Sequence, residues 1–381
     1  MLEQIHLENF KASRDVDVRL APLTLLAGLN GSGKSTLLQA IAAIRQSYAR
    51  DSVSSGLTLG GDLVHLGRSD DVYCETADND TLTITVREAG LTFSWICRCP
   101  PNSSLNQLQF ASQPDRPPHF ASAADFQFLH ADRIVPHTLY PQAPRRAQEA
   151  GFLGTRGEYT PDFLSLNGEK ISVSDTRRID MHVTSIPSDM LNKVAPTPKL
   201  LDQVAGWMQH VSPGVRLKVE RIERTDEVLL RFYYTGLKRE SNSNEYRPTN
   251  VGFGLTYTLP IITACLAAQP GALLLLENPE AHLHPQGQVA LGELMARCAA
   301  DGVQVIVESH SDHVLNGIRL AVKGMAGGLK GEQVALHLFT RDETTGEVWV
   351  QTPTLLDSGR LSNWPDGFFN QWGKSVDALL E

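Results

Sequence analysis

Residues 28–35 read Gly-Leu-Asn-Gly-Ser-Gly-Lys-Ser, which fits the pattern G-x-x-x-x-G-K-[ST] at every position. No other stretch of the chain restricts its folding as tightly. The apolar run Leu23, Leu25, Leu26 precedes it, and TLLQAIAAIRQSY follows with apolar residues at helical spacing and neither Gly nor Pro. The local order is therefore strand, glycine loop, helix. Glycines let the backbone wrap a phosphate with its N–H groups inward, and the start of the helix adds partial positive charge. In such a loop the backbone of Asn30, Gly31, Ser32 and Gly33 cradles the β-phosphate, and Lys34 reaches the β- and γ-phosphates. The Ser35 hydroxyl holds Mg²⁺, and Thr36 lies close enough to touch the α-phosphate. The segment predicts a nucleoside triphosphate bound with Mg²⁺.

The bulk properties suit a folded carrier for such a loop. Hydrophobic residues make up 41% and charged ones 20% of 381 residues, enough apolar surface to offset the entropy of ordering. No run approaches the ~18 apolar residues of a membrane span, which excludes a membrane-embedded role. The opening MLEQIHLENFK alternates apolar and polar residues like a first strand and lacks a leader pattern, so a cytoplasmic protein is expected. Of five cysteines only Cys97 and Cys99 are neighbours, with no second pair or histidine cluster to complete a zinc site; reduced thiols and no structural zinc are expected. Lys plus Arg total 34 against 43 acids, net −9, which argues against a uniformly basic nucleic-acid binder. Residues 216–247 hold eight cations and six acids, a mixed surface that leaves DNA contact open without supporting it.

Alternation over 1–27 and 57–99 predicts a small sheet and a meander, and the Pro-, Ser- and Gln-rich stretch 100–122 predicts a long exposed loop. The middle of the chain carries one helix, 200–210, and the alternating pair VRLKVERI and EVLLRFYY. From 250 an α/β rhythm returns: a helix from about Leu255, strand 272–276, helix 285–299, strand 303–307, helix 312–322, then strands near 334 and 346. The expected division is 1–139 and 249–381 as two parts of one α/β layered domain, with 140–248 as an inserted α+β lobe.

Strand 272–276 ends in Glu277, Asn278, Pro279, Glu280, where a second strand of a phosphate-loop domain places a metal-linked carboxylate; Glu277 fits that place. The next strand delivers Glu308, Ser309, His310 and Ser311 to its C-terminal edge, where ligands of open α/β sheets collect, and His310 is placed to sense the γ-phosphate. Asn250, Val251, Gly252, Phe253 and Gly254 precede a helix, and their small residues free backbone N–H groups for an anion. His282 and His284 receive no metal.

Together GLNGSGKST, LLLLENPEAHLHP and VIVESHSDH resemble the ABC-type ATPases of the RecF, SMC and OLD (overcoming lysogenisation defect) group. The opening ENFK, the segment VGFGLTYTLPII and the ending NWPDGFF look like the short AAA/ABC-like proteins of bacterial antiphage operons, related to the ATPase subunit of the Septu system. The resemblance implies a P-loop NTPase head of ABC type, a mixed sheet with flanking helices, that binds ATP and Mg²⁺. It also implies a homodimer in which two heads sandwich ATP, with Gly252 and Gly254 completing the partner's site. Many relatives carry an acid where Asn278 stands, and an amide cannot take the proton of an attacking water. Slow hydrolysis is expected, with Glu280 as substitute base or with Glu277 and His310 positioning water. Asn192-Lys193-Val194 resembles a guanine-reading motif, but Ala195 replaces its Asp, which favours ATP.

OLD-type relatives append a nuclease after the last head motif, whereas 71 residues follow His310 here. The expectation is an ATPase subunit that controls a separately encoded nuclease or toxin in antiphage defence. The alternatives are a slow or inactive ATPase serving as an ATP-bound scaffold, a RecF-like DNA repair ATPase and, less favoured, a transporter ATPase.

Overall fold

The computed structural model describes residues 1–49, 56–100, 104–122, 125–179, 194–235, 243–324, 328–342, 344–365, 369 and 379. Asn192 and Lys193, and Asp366, Gly367 and Phe368 of the NWPDGFF ending, lie outside the described residues. The chain divides into two compact units: 1–123 with 306–310 and 330–381, and 124–305 with 311–329.

In the first unit, β1 (Leu2–Phe10), β2 (Ser13–Arg19), β5 (Thr81–Glu88), β6 (Leu91–Arg98) and β8 (Phe110–Ser112) form an antiparallel sheet in the order β2-β1-β5-β6-β8. The alternation read from the sequence is its cause: Ile5, Leu7, Val16, Val18, Leu82, Ile84 and Val86 are buried while most of their chain neighbours are not. A second set is mixed, with β3 (Leu23–Gly28) parallel to β15 (Val334–Arg341) and β15 antiparallel to β16 (Val348–Gln351). Helix α1 (Lys34–Ala49) leaves the loop after β3 and buries Leu37, Leu38, Ile41 and Ile44.

The described residues of the stretch 100–122 are mostly exposed, as expected of a loop, but short elements and a few buried side chains anchor it. Leu108, in β7 (Gln107–Leu108), pairs with Leu57 in β4 (Leu57–Thr58), and both side chains are fully buried. Phe120, in the helical turn His119–Ser122, is buried as well, and its carbonyl accepts from the Arg45 guanidinium. Single apolar residues spaced among Pro and Ser give no periodicity, yet each fills a site on an element distant in sequence.

In the second unit, β9 (Phe126–Leu129) runs parallel to β13 (Leu273–Glu277). The first residue of β14 (Gln304–Glu308) joins them through a bond from Gln304 N–H to the Ala272 carbonyl; Gln304 and Val305 belong to this unit and Ile306–Glu308 to the first. These strands are apolar runs because both faces are covered. The antiparallel order β10-β12-β11, from β10 (Leu139–Pro141), β11 (Val215–Arg221) and β12 (Glu227–Tyr234), combines with α2 (Thr160–Asn167) and α3 (Leu200–Trp207) in an α+β arrangement. Fully buried Asp162 on α2 accepts from the Arg221 guanidinium at 2.7 Å.

Three longer helices complete the unit: α4 (Phe253–Ala267), α5 (Pro285–Ala300) and α6 (Asp312–Gly324). The last two touch backbone to backbone, since a Cβ on Gly317 would lie 2.1 Å from the Val289 carbonyl oxygen. No described helix is long and apolar enough to cross a membrane. All five cysteines are buried and free; burial pushes the Cys99 thiol up to about 11 and that of Cys97 higher still.

Candidate functional site

The glycine loop has the backbone its motif demands. Gly28, Gly31 and Gly33 have φ of 140°, 77° and 96°, conformations that side chains with a Cβ rarely adopt. Gly28 is also boxed in sterically, since a Cβ there would lie 2.3 Å from the Phe339 carbonyl oxygen on β15. The loop therefore leaves β3 at a sharp angle and delivers Lys34 to the first turn of α1. Asn30 and Gly31 are exposed, Gly33 and Ser35 half-buried, and Ser32, Lys34 and Thr36 buried.

Lys34 Nζ donates to the Leu29 carbonyl at 2.7 Å and lies 3.6 Å from Glu308 Oε1, with both side chains almost fully buried. Glu308 is held at the C-terminal end of β14, where Ser309 N–H donates to the Leu26 carbonyl on β3 at 3.0 Å. Its second oxygen, Oε2, is buried and accepts no hydrogen bond. His310, a third of its side chain exposed, lies with Nε2 4.0 Å from the same Glu308 Oε1. The first unit thus brings the loop, Lys34, Glu308 and His310 together. The sequence places Glu308 at that strand edge but gives it no role, because its burial against Lys34 has no local signal. Ser311, beside His310 in sequence, caps α6 instead: its Oγ accepts from the N–H groups of His313 and Val314 and donates to Gln288 Oε1.

The second unit assembles the other candidates around Arg133, which sequence reasoning did not single out. Its guanidinium donates to the carbonyls of His130, at 2.8 Å, Glu277, at 2.5 Å, and Asn278, and lies 4.1 Å from the centre of the Tyr257 ring on α4. Burial pushes this side chain down to about 10, so it stays protonated at neutral pH, and the nearby Tyr257, Glu280 and Glu277 oppose the shift. Glu277 Oε2 accepts from Ala131 N–H at 2.9 Å, and the Tyr257 hydroxyl donates to the Ala131 carbonyl. One loop, 130–133, is therefore bonded to both the carboxylate turn and α4.

Asn278 sits in that turn at φ 44°, a left-handed conformation that Asn adopts more readily than Glu, with its Oδ1 buried and unbonded. Glu277 and Glu280 are half-buried. Gly252 caps α4 in open space, whereas Gly254 is buried, and a Cβ there would lie 2.8 Å from the His282 carbonyl oxygen. The His282 ring packs 4.5 Å from Phe253, and His284 Nδ1 accepts from Gln286 N–H at the start of α5. Gln127 spends both ends of its amide on Gly151 and Leu153, a structural role.

Among the described residues no three His, Cys, Asp or Glu side chains cluster as a metal site. A hydroxyl and single carboxylates are the hard oxygen donors that suit Mg²⁺, which keeps several waters and leans on substrate phosphates.

Three family models match the chain. Residues 1–118 match "AAA ATPase domain", 141–316 match "AAA domain, putative AbiEii toxin, Type IV TA system", and 329–379 match "Protein of unknown function (DUF3696)". An OLD nuclease of Thermus scotoductus is 46% identical over 41 residues, 11% of this chain and 8% of that protein, so the match spans a small part of the relative. Among solved structures, the Smc head domain with an extended coiled coil bound to the C-terminal domain of ScpA, from Pyrococcus furiosus, aligns over 100% of this chain and 99% of its own at 12% identity, with a TM-score of 0.50. The SMC head domain from Thermotoga maritima aligns over 92% and 98% at 15% identity, with a TM-score of 0.42. The glycine loop and the first acidic strand end thus lie within stretches that match AAA-type ATPase domains, the fold is that of an SMC-type head, and the chain is similar to the ABC/AAA-type ATPases of the RecF, SMC and OLD group.

Proposed function

We propose that the chain binds and slowly hydrolyses ATP, that ATP brings two copies together head to head, and that the change controls a separately encoded nuclease or toxin in antiphage defence. The observation that carries the reading is the glycine loop itself, with its three left-handed glycines and Lys34 delivered to the helix start. On this reading the backbone of Asn30 to Gly33 holds the β-phosphate, Lys34 neutralises the β- and γ-phosphates, and Thr36 bonds the α-phosphate. Ser35 and Glu277 are the residues that would hold Mg²⁺, which supplies charge neutralisation on the phosphate oxygens when bound. Gly252 acts from the partner copy, and Gly254 lets α4 pack closely enough to present it. Residues 140–248 are an inserted lobe between the two parts of the head. The AbiEii and OLD descriptions support a defence role without naming the effector.

A second reading, an ATP-bound scaffold with negligible turnover, draws on Asn278, where an acid would otherwise take the proton. Binding and turnover of labelled ATP by the wild type and Lys34→Ala, with native mass spectrometry at each nucleotide state, separate the two. Binding with ATP-dependent doubling of mass and turnover above Lys34→Ala supports the enzyme. Binding with turnover equal to Lys34→Ala supports the scaffold, and no binding refutes both.

A further inference from the structure

Glu308 is a carboxylate that the glycine loop does not need and that the fold nevertheless buries beside it. Its Oε1 is 3.6 Å from Lys34 Nζ and 4.0 Å from His310 Nε2, while Oε2 is buried without a hydrogen bond. A buried acceptor left unbonded is costly, and in a native structure it calls for an explanation such as a catalytic role. The position is held tightly, because Ser309, fully buried, ties the end of β14 to Leu26, two residues before Gly28. Lys34 is the side chain that meets the β- and γ-phosphates of a bound triphosphate. A carboxylate against its ammonium group therefore stands at the γ-phosphate end of the nucleotide. There it would repel the phosphate oxygens unless its role is toward something other than the phosphate.

The first acidic strand end offers less. Glu277 Oε2 already accepts from Ala131 N–H, and Asn278 offers only an amide. We propose that Glu308 is the general base of ATP hydrolysis, in the role that Asn278 cannot fill; the proposal rests on the ATPase reading above. Water oxygen bonds to the γ-phosphorus as the bond from that phosphorus to the β–γ bridging oxygen breaks, and ADP leaves with the electron pair. The water proton passes to Glu308 Oε2 and from there to solvent or to the departing phosphate. Lys34 neutralises the phosphate oxygens throughout, and His310 borders the space in which the water must sit.

The test compares wild type, Glu308→Gln, Glu308→Asp and Lys34→Ala in Mg²⁺-ATP turnover, binding of a nonhydrolysable ATP analogue and thermal unfolding. Glu308→Gln keeps the shape and removes the base, so turnover falls about a hundredfold or more. Analogue binding is retained or tightened, because a negative charge beside the triphosphate is gone, and the ATP-bound species outlives that of the wild type. Glu308→Asp withdraws the carboxylate by one methylene and loses at least about tenfold; it decides the matter if Glu308→Gln does not fold. Turnover within about twofold of wild type in either folded variant overturns the inference. So does loss of analogue binding in a stable Glu308→Gln, which would make Glu308 a holder of Lys34 and no more. A wild type that fails to bind the analogue, like Lys34→Ala, refutes the ATPase reading itself and is distinct from these outcomes.

Discussion

Arg133→Met removes a buried cation and keeps most of its aliphatic stem. The side chain is 1% exposed and donates to three backbone carbonyls, those of His130, Glu277 and Asn278. Met satisfies none of them, and the contact over Tyr257 loses its charge. Each buried carbonyl left without its donor costs about 1–3 kcal/mol, so the three together cost at least about 3 kcal/mol, and the stacking adds a fraction to that. For a unit of about 200 residues, 1 kcal/mol moves the melting temperature by about 2–4 °C, so the second unit should melt about 10 °C lower. Arg133→Lys keeps the charge but cannot span three carbonyls, and should fall between the two. The assay is thermal unfolding by near-ultraviolet circular dichroism, read with Mg²⁺-ATP turnover at a temperature where the variant is folded. Because the turn carrying Glu277 is what Arg133 holds, turnover should fall more than ATP affinity. A variant melting within about 2 °C of wild type with unchanged turnover would refute the reasoning, since the carbonyls would then be satisfied without the guanidinium.

Gly28→Ala places a methyl 2.3 Å from the Phe339 carbonyl oxygen at φ 140°, and strain of at least about 1.4 kcal/mol should cost tenfold or more in ATP affinity by equilibrium dialysis. Burial pushes His210 and His337 down to about 4 from the ordinary 6.5. The unfolded chain then binds protons that the native one refuses, so stability is complete above pH 6.5 and falls as pH drops toward 4, by about 3 kcal/mol per histidine. His210→Leu and His337→Leu should each flatten that slope in urea titrations at pH 7 and pH 5, and an unchanged slope in both would contradict the assignment. Asn278→Glu forces a longer side chain into the left-handed region, so it should lower the melting temperature without raising turnover; a rise in turnover would locate the proton acceptor there instead.

The parts of the site that were legible in the sequence are those whose chemistry is local. The glycine loop needs eight consecutive residues, and α1 and β3 announce themselves by periodicity on either side. Strands β13 and β14 and helices α5 and α6 were readable for the same reason. Arg133 was not, because its partners at 277 and 278 are more than 140 positions away and a lone Arg in a loop carries no period. Glu308 was visible as a residue, but its burial against Lys34 depends on β14 lying beside β3, a pairing no local pattern encodes. Leu108 and Phe120 were hidden by Pro- and Ser-rich neighbours for the converse reason, since composition there says loop while distant contacts say core.

The buried thiols have a practical consequence. With Cys74, Cys97, Cys99, Cys265 and Cys298 all shielded, the folded chain presents a blank background to maleimide reagents. A single cysteine introduced at an exposed position such as Leu91 or Trp349 would take a spin label or fluorophore alone. Distances between two copies could then be followed through a nucleotide cycle without first stripping the native sulfur.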